Sequence, residues 1–271
     1  MSYIFIGGAQ RTGTTLLQQI LCNSPTTNPM LQEATYLRML VQAYPRAARE
    51  RHIIDYFPTE PEFLAFHGQI IRMFLERARS RYANVPLLVL KDPQLTPLFP
   101  TLHRLLPEAR FVCLVRDPRD TIASMIRVGE RGEKLYGRNI FARNIEALSR
   151  HFLSYYSPII KCDEAAFRAA VLFLRFRDLV HHADRIFPVL EEFTGVQLGS
   201  VRPDRPFDTG TVDYEADKAI SPWWSEHYGQ PISAAPVGGF SQTLSAEEAA
   251  EISLHCAAFM KLFHFEELTD G

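Results

Sequence analysis

The sequence predicts an α/β fold: a parallel β-sheet flanked by helices, with a P-loop-like turn after its first strand. Three observations predict it. Short apolar runs recur at 3–8, 85–93, 109–118 and 169–179, and stretches of helical periodicity separate them. That alternation is what a parallel sheet with crossover helices produces. The first apolar run also ends in a glycine-rich turn, GGAQRTGTT (7–15), with a helical pattern straight after it. Strand, glycine turn and helix in that order are the setting of a phosphate-binding loop.

The elements follow in order. YIFIGG (3–8) reads as a buried strand. TLLQQILCN (15–23) has helical spacing and is stopped by Ser24-Pro25 and Asn28-Pro29. Residues 33–44 and 61–83 read as helices. VPLLVLKDP (85–93) is a second buried strand, and 95–107 a turn and helix. ARFVCLVRDP (109–118) is a third strand, after which Asp117 can cap and Pro118 suits the first helical position. A basic helical stretch runs from about 119 to 156, with breaks expected near Gly129–Gly132 and Gly137. AAVLFLRFRDL (169–179) holds a fourth strand, followed by a helix over 181–194. Residues 199–243, rich in Pro, Gly, Ser and Asp, read as a long ordered loop and a candidate lid. The last helix covers 243–263, opened by the capping box Ser245 to Glu248. With no internal repeat and no clear linker, one domain over 1–271 is expected.

Composition narrows the function class. The chain has 271 residues, 46% hydrophobic and 22% charged, with a formal net charge of −2. Such a balance gives no electrostatic reason to expect nucleic acid or an anionic membrane as partner. No apolar run reaches the length of a membrane span. Cys22, Cys113, Cys162 and Cys256 show no metal-ligand or disulfide spacing, which suits a reducing compartment. A strand starting at Tyr3 leaves no room for a signal peptide, so a cytoplasmic protein is expected.

The loop GAQRTGTT (8–15) has the outline G-x-x-x-x-G-K-[ST], but Thr14 stands where the lysine belongs. A glycine turn feeding a helix N-terminus still offers converging N–H groups to an oxyanion, and Thr14 and Thr15 add hydroxyls. The cation is Arg11, on the loop itself. Hydrolysis of a magnesium triphosphate needs the missing lysine and a held metal; a 5′-phosphate carrying one more group does not.

GGAQRTGTTLLQQIL resembles the 5′-phosphosulfate loop of sulfotransferases that use 3′-phosphoadenosine 5′-phosphosulfate, with Gln10 in the place of the usual proline. The resemblance implies a second anion site for the 3′-phosphate. FVCLVRDPRDTIASM supplies Arg116 at a strand end and Ser124 in the next helix, at the family spacing. NPMLQEATYLRML and LKDPQLTPLFPTLHRLLPEARFVCLVRD are most similar to tyrosylprotein sulfotransferases and their bacterial relatives. That likeness implies Glu33 as the base, with Arg11 and Lys91 meeting the charge of the transition state. The donor site it implies comprises Gln10, Arg11, Thr12, Gly13, Thr14, Thr15, Arg116 and Ser124. No metal is required, because a sulfuryl group carries less negative charge than a phosphoryl group. FRDL places Phe176 where many family members carry a tyrosine, and VGGFSQ (237–242) lacks the cations of their late loop.

The expected activity is transfer of a sulfuryl group from this donor to an acceptor hydroxyl, leaving 3′,5′-adenosine bisphosphate. Two other readings stand beside it. One is a kinase-like phosphotransferase with Asp92 as metal ligand; the other is a nucleotide-binding module without catalysis. The residues name neither the acceptor nor the oligomeric state.

Overall fold

The computed structural model describes residues 2–83, 85–210 and 212–265, so the expected span 1–271 reaches beyond it at a few positions. Strands β1 (Ser2–Gly7), β2 (Leu87–Lys91), β3 (Arg110–Val115) and β4 (Val171–Arg175) form a parallel sheet in the order β2-β1-β3-β4. Between β1 and β2 lie helices α1 (Thr14–Cys22), α2 (Thr35–Ala47) and α3 (Glu60–Ser80). Helix α4 (Phe99–Leu105) joins β2 to β3, and α5 (Pro118–Tyr136), α6 (Ile145–Ile160) and α7 (Ala165–Ala169) join β3 to β4. After β4 come α8 (Phe176–His181), α9 (Ala183–Thr194), α10 (Tyr214–Ile220), α11 (Ala246–His255) and α12 (Ala257–Leu262).

Successive strand residues point to opposite faces, so each strand feeds two cores. Tyr3 and Phe5 of β1 join Phe111 and Cys113 of β3 beneath α2, α3, α5 and α6. Ile4 and Ile6 join Val112, Leu114 and Leu174 beneath α1, α8 and α9. The edge strand β2 is covered rather than left open. Asn28 reaches it with both ends of its amide, donating to the Val89 carbonyl at 3.0 Å and accepting from the Val89 N–H at 2.7 Å.

The basic stretch 119–156 is two helices, and only one of the expected breaks exists. Gly137, with φ of 65°, ends α5, and Asn144 caps α6. Gly129 and Gly132 stay helical. They clear room for the connecting chain, since a Cβ on Gly129 would lie 2.6 Å from the Phe141 carbonyl oxygen. The final helical stretch is likewise split, at Cys256. The segment 199–243 is mostly irregular, but Asp213 caps the short helix α10 inside it.

The strand order places a switch point between β1 and β3, where the chain departs to opposite sides of the sheet. Open α/β sheets bind ligands outside the carboxyl ends of strands at such points.

Candidate active site

The loop after β1 is held by hydrogen bonds that face away from the switch point. The Gly8 N–H donates to Thr96 Oγ1 at 2.9 Å, and the Ala9 N–H to the Tyr156 hydroxyl at 3.0 Å. Thr12 turns both of its donors, N–H and hydroxyl, onto the Ala9 carbonyl at 3.2 and 2.7 Å. It braces the loop from within, and its side chain is not a donor to a ligand. Arg11 and Gly13 both adopt positive φ, 73° and 98°, which turns successive N–H groups outward. Helix α1 starts at Thr14 without a side-chain cap. Among the described residues, the N–H groups of Gly13, Thr14 and Thr15 have no partner in the chain. They are open to an anion.

Arg116, at the end of β3, lies directly across from this loop. Its Nη1 donates to the Arg11 carbonyl at 3.1 Å and its Nη2 to the Pro236 carbonyl. Its Nε is buried without a partner. Burial pulls the Arg116 guanidinium down to about 10, although Asp120 nearby favours its charge. Arg119, the other arginine of the RDPRD run, pairs instead with Asp117 at 2.6 Å. Ser124 faces the same space and accepts from Arg11 Nε at 3.2 Å. The two anion-site candidates lie about a hundred residues apart in the chain, and the fold brings them into contact.

Both sites open into a cavity of about 630 Å3. Arg11, Gly13, Thr14, Thr15, Arg116 and Ser124 line it. Arg127 and Arg131 join them, and the Arg131 Nε is another buried donor without a partner. Four arginines line it against two carboxylates, Asp120, which lies 3.9 Å from Arg116 Nη2, and Glu226. Unpaired buried donors of that kind are costly unless an anion meets them, so the residues fit a bisphosphorylated nucleoside. Phe176 forms part of the wall: the Arg116 guanidinium sits 4.7 Å over its ring, and a Cβ on Gly13 would strike that ring at 2.5 Å. The loop over Arg116 contributes backbone rather than cations. Asp120 accepts from the Gly238 and Phe240 N–H groups at 2.9 and 3.1 Å.

A second cavity of about 460 Å3 adjoins the first and shares Arg11, Thr14, Thr15, Trp224 and Tyr228 with it. Gln10 lines this second cavity, away from the arginine cluster. So do Glu33 and Lys91, which meet there: Lys91 Nζ donates to Glu33 Oε1 at 3.0 Å. The Ala34 N–H donates to the Lys91 carbonyl at 3.0 Å, and Gln18 Nε2 to the Leu31 carbonyl at 2.8 Å. These bonds lay residues 31–34 against β2 and α1. The Lys91 side chain is 9% exposed and that of Glu33 46%, so the carboxylate is accessible to an incoming hydroxyl. Asp92 is engaged elsewhere, with Arg38 Nε at 2.9 Å and the Gln94 N–H at 2.9 Å. Each carboxylate oxygen thus already accepts a hydrogen bond from within the chain.

The sulfotransferase family profile matches residues 3–199, well over half of the sequence. The chain belongs to the sulfotransferase family. Human protein-tyrosine sulfotransferase 1 is 31% identical over 130 residues, 46% of this chain and 34% of that protein. The Danio rerio protein-tyrosine sulfotransferase 1 is 27% identical over 198 residues, 72% of this chain and 54% of that protein. The chain therefore matches from a third to about half the length of these curated relatives. Among solved structures, the sulfotransferase domain of the Synechococcus PCC 7002 olefin synthase superposes with a TM-score of 0.55 at 17% identity, covering 96% of this chain and 94% of that one. The sulfotransferase domain of the curacin biosynthetic pathway gives 0.57 at 17%, covering 94% and 96%. At that identity the likeness concerns the fold alone.

Two further groups line the site beyond the residues expected for the donor: Arg127 and Arg131, whose basic stretch suits by sequence either a solvated face or a flank of the 3′-phosphate, and Tyr228. Arg127 and Arg131 follow Ser124 at helical spacing, so Asp120, Ser124, Arg127 and Arg131 share one face of α5; that periodicity was a usable signal. Tyr228, inside the irregular segment, carried none. Its hydroxyl accepts from Arg11 Nη1 at 3.0 Å and donates to the Trp223 carbonyl at 3.3 Å. Burial alone would raise this phenol, but Arg11, Lys91 and the Thr15 hydroxyl bring it below the ordinary tyrosine value.

Proposed function

We propose that the protein transfers a sulfuryl group from 3′-phosphoadenosine 5′-phosphosulfate to an acceptor hydroxyl, leaving 3′,5′-adenosine bisphosphate. The observation that carries this reading is the meeting of two anion-competent clusters in one cavity. The Arg11–Thr15 loop suits the 5′-phosphosulfate, and Arg116 with Ser124 suits the 3′-phosphate. The adjoining cavity, with Glu33 and Lys91, suits the acceptor.

In this reading Glu33 takes the proton of the acceptor hydroxyl as its oxygen bonds to sulfur. The bond from sulfur to the 5′-phosphate oxygen breaks, and its electron pair leaves with the phosphate. Arg11 lies between the cavities, where charge builds on the transferring group. Lys91 orients Glu33 and adds positive charge beside it. Gln10 lies on the acceptor side, where its amide can hold a polar group of the acceptor. Tyr214, Trp223 and Trp224 give that side an aromatic wall. A tyrosine side chain, the acceptor in the names of the curated relatives, is one hydroxyl for such a wall.

The test pairs binding with turnover. Wild-type protein with labelled donor and a panel of tyrosine peptides and small hydroxyl compounds should yield a sulfated product, detected by mass. Glu33→Gln should lower turnover by about 10² to 10⁴ while 3′,5′-adenosine bisphosphate binds as in wild type. Stabilisation by ATP but not by the bisphosphate would overturn the reading in favour of a phosphotransferase.

A further inference from the structure

Tyr228 stands where three open spaces meet. It lines the arginine-rich cavity, the Glu33–Lys91 cavity and a third recess behind α10. Among the described residues no other lines all three. The first two spaces share few residues, and Tyr228 is the one shared residue that brings a phenol to Arg11. Its ring is fixed from the α10 side by Tyr214, with ring centroids 4.6 Å apart. The hydroxyl therefore points at the seam between donor and acceptor spaces.

We propose that Tyr228 is a further catalytic residue, whose hydroxyl donates a hydrogen bond to a non-bridging oxygen of the sulfuryl group as it passes between the two cavities. The proposal rests on the sulfuryl-transfer reading above. Its proton is available. The hydroxyl now donates to the Trp223 carbonyl at a long 3.3 Å, and that carbonyl also accepts from Arg11 Nη1 at 2.9 Å. Exchanging this bond for one to a sulfuryl oxygen leaves the carbonyl satisfied. Arg11 and Lys91, which favour the anionic phenolate, also make the phenol a stronger donor. No bond to Tyr228 forms or breaks in the step. The acceptor oxygen bonds to sulfur, the 5′-phosphate leaves with its electron pair, and Glu33 holds the proton.

The experiment measures bisphosphate release from the labelled donor, with and without an acceptor, in wild type and Tyr228→Phe. Water serves as acceptor in the arm without an added one, so no acceptor needs to be known. Tyr228→Phe is expected to lower kcat by about 10², the cost of losing one donor to transition-state charge. The Kd for 3′,5′-adenosine bisphosphate and the Tm should stay within about threefold and a few degrees of wild type, respectively. Unchanged kcat overturns the proposal. So does a Kd weakened as much as kcat falls, because Tyr228 would then only clamp the nucleotide. If the Phe variant does not fold, 3-fluorotyrosine at position 228 keeps the shape and acidifies the phenol, and an unchanged kcat again overturns the proposal. A wild type that neither binds the bisphosphate nor releases it sinks the sulfotransferase reading itself, and this inference with it. A working wild type with a fully active Phe variant sinks only the inference.

Discussion

Arg116 is the residue on which the donor site turns. It is buried, its charge faces Asp120 at 3.9 Å, one of its nitrogens has no partner, and the two others donate to carbonyls. A phosphate is the group that would use all three. Charged hydrogen bonds contribute about 1.5–3 kcal/mol each, so with even one such bond lost Arg116→Met should weaken 3′,5′-adenosine bisphosphate by at least about 10-fold in calorimetry. Arg116→Met also takes the cation from buried Asp120, so its Tm should fall, and the affinity is read at a temperature where circular dichroism shows the variant folded. Thr12 teaches the opposite lesson at the same scale. The loop pattern groups it with Gly13, Thr14 and Thr15 as a ligand donor, yet the tight turn at positive φ folds its hydroxyl onto Ala9. A motif names the positions of a loop; backbone geometry decides which of them face outward.

At the scale of elements, α5 connects sequence to site most directly. Its N-terminal turn follows Arg116, its face carries Asp120, Ser124, Arg127 and Arg131, and its glycines admit the chain that leads to α6. Gly129→Ala would gain about 1 kcal/mol of helix propensity. It would also set a Cβ 2.2 Å from Asn139 Oδ1 and 2.6 Å from the Phe141 carbonyl oxygen. Overpacking of this kind costs about 1–3 kcal/mol, so urea denaturation should show a net loss despite the better helix former. Helix α11 offers a pH test. Glu248 closes the capping box with Ser245 and accepts from Arg143 at 2.7 and 2.8 Å. The Arg143 hydrogen bond and the Ser245 N–H hold its carboxyl down to about 2. Its folded value lies below its ordinary one, so its stabilisation is present at neutral pH and is lost as pH falls from about 4.5 towards about 2. The Tm gap between wild type and Glu248→Gln should be open at pH 7 and narrow over that acid window.

For the whole molecule, the segment from 221 to 243 closes the site, and its anchors are the site residues themselves. Arg11 holds the Trp223 carbonyl, Arg116 the Pro236 carbonyl, and Arg127 the Thr243 hydroxyl at 2.6 Å. Bisphosphate at a hundredfold excess over Kd should stabilise the protein by about 2.7 kcal/mol. The same ligand should slow proteolytic cutting within 221–243, read by mass spectrometry, and high salt should weaken both effects through screening of the arginine cluster. By itself the sequence determined the apolar strands and the glycine turn with Arg11 on it, because apolar periodicity and loop spacing are local properties of the chain; Glu33, Lys91, Arg116 and Ser124 were implied as site residues by the resemblance to sulfotransferase motifs. Only the tertiary structure decided that Glu33 pairs with Lys91, that Arg116 reaches the Arg11 carbonyl across 105 positions of sequence, and that Tyr228 enters the seam. Those contacts join segments whose order in space is set by the sheet's switch point and by packing of an irregular loop, and neither leaves a periodic mark in the residues themselves.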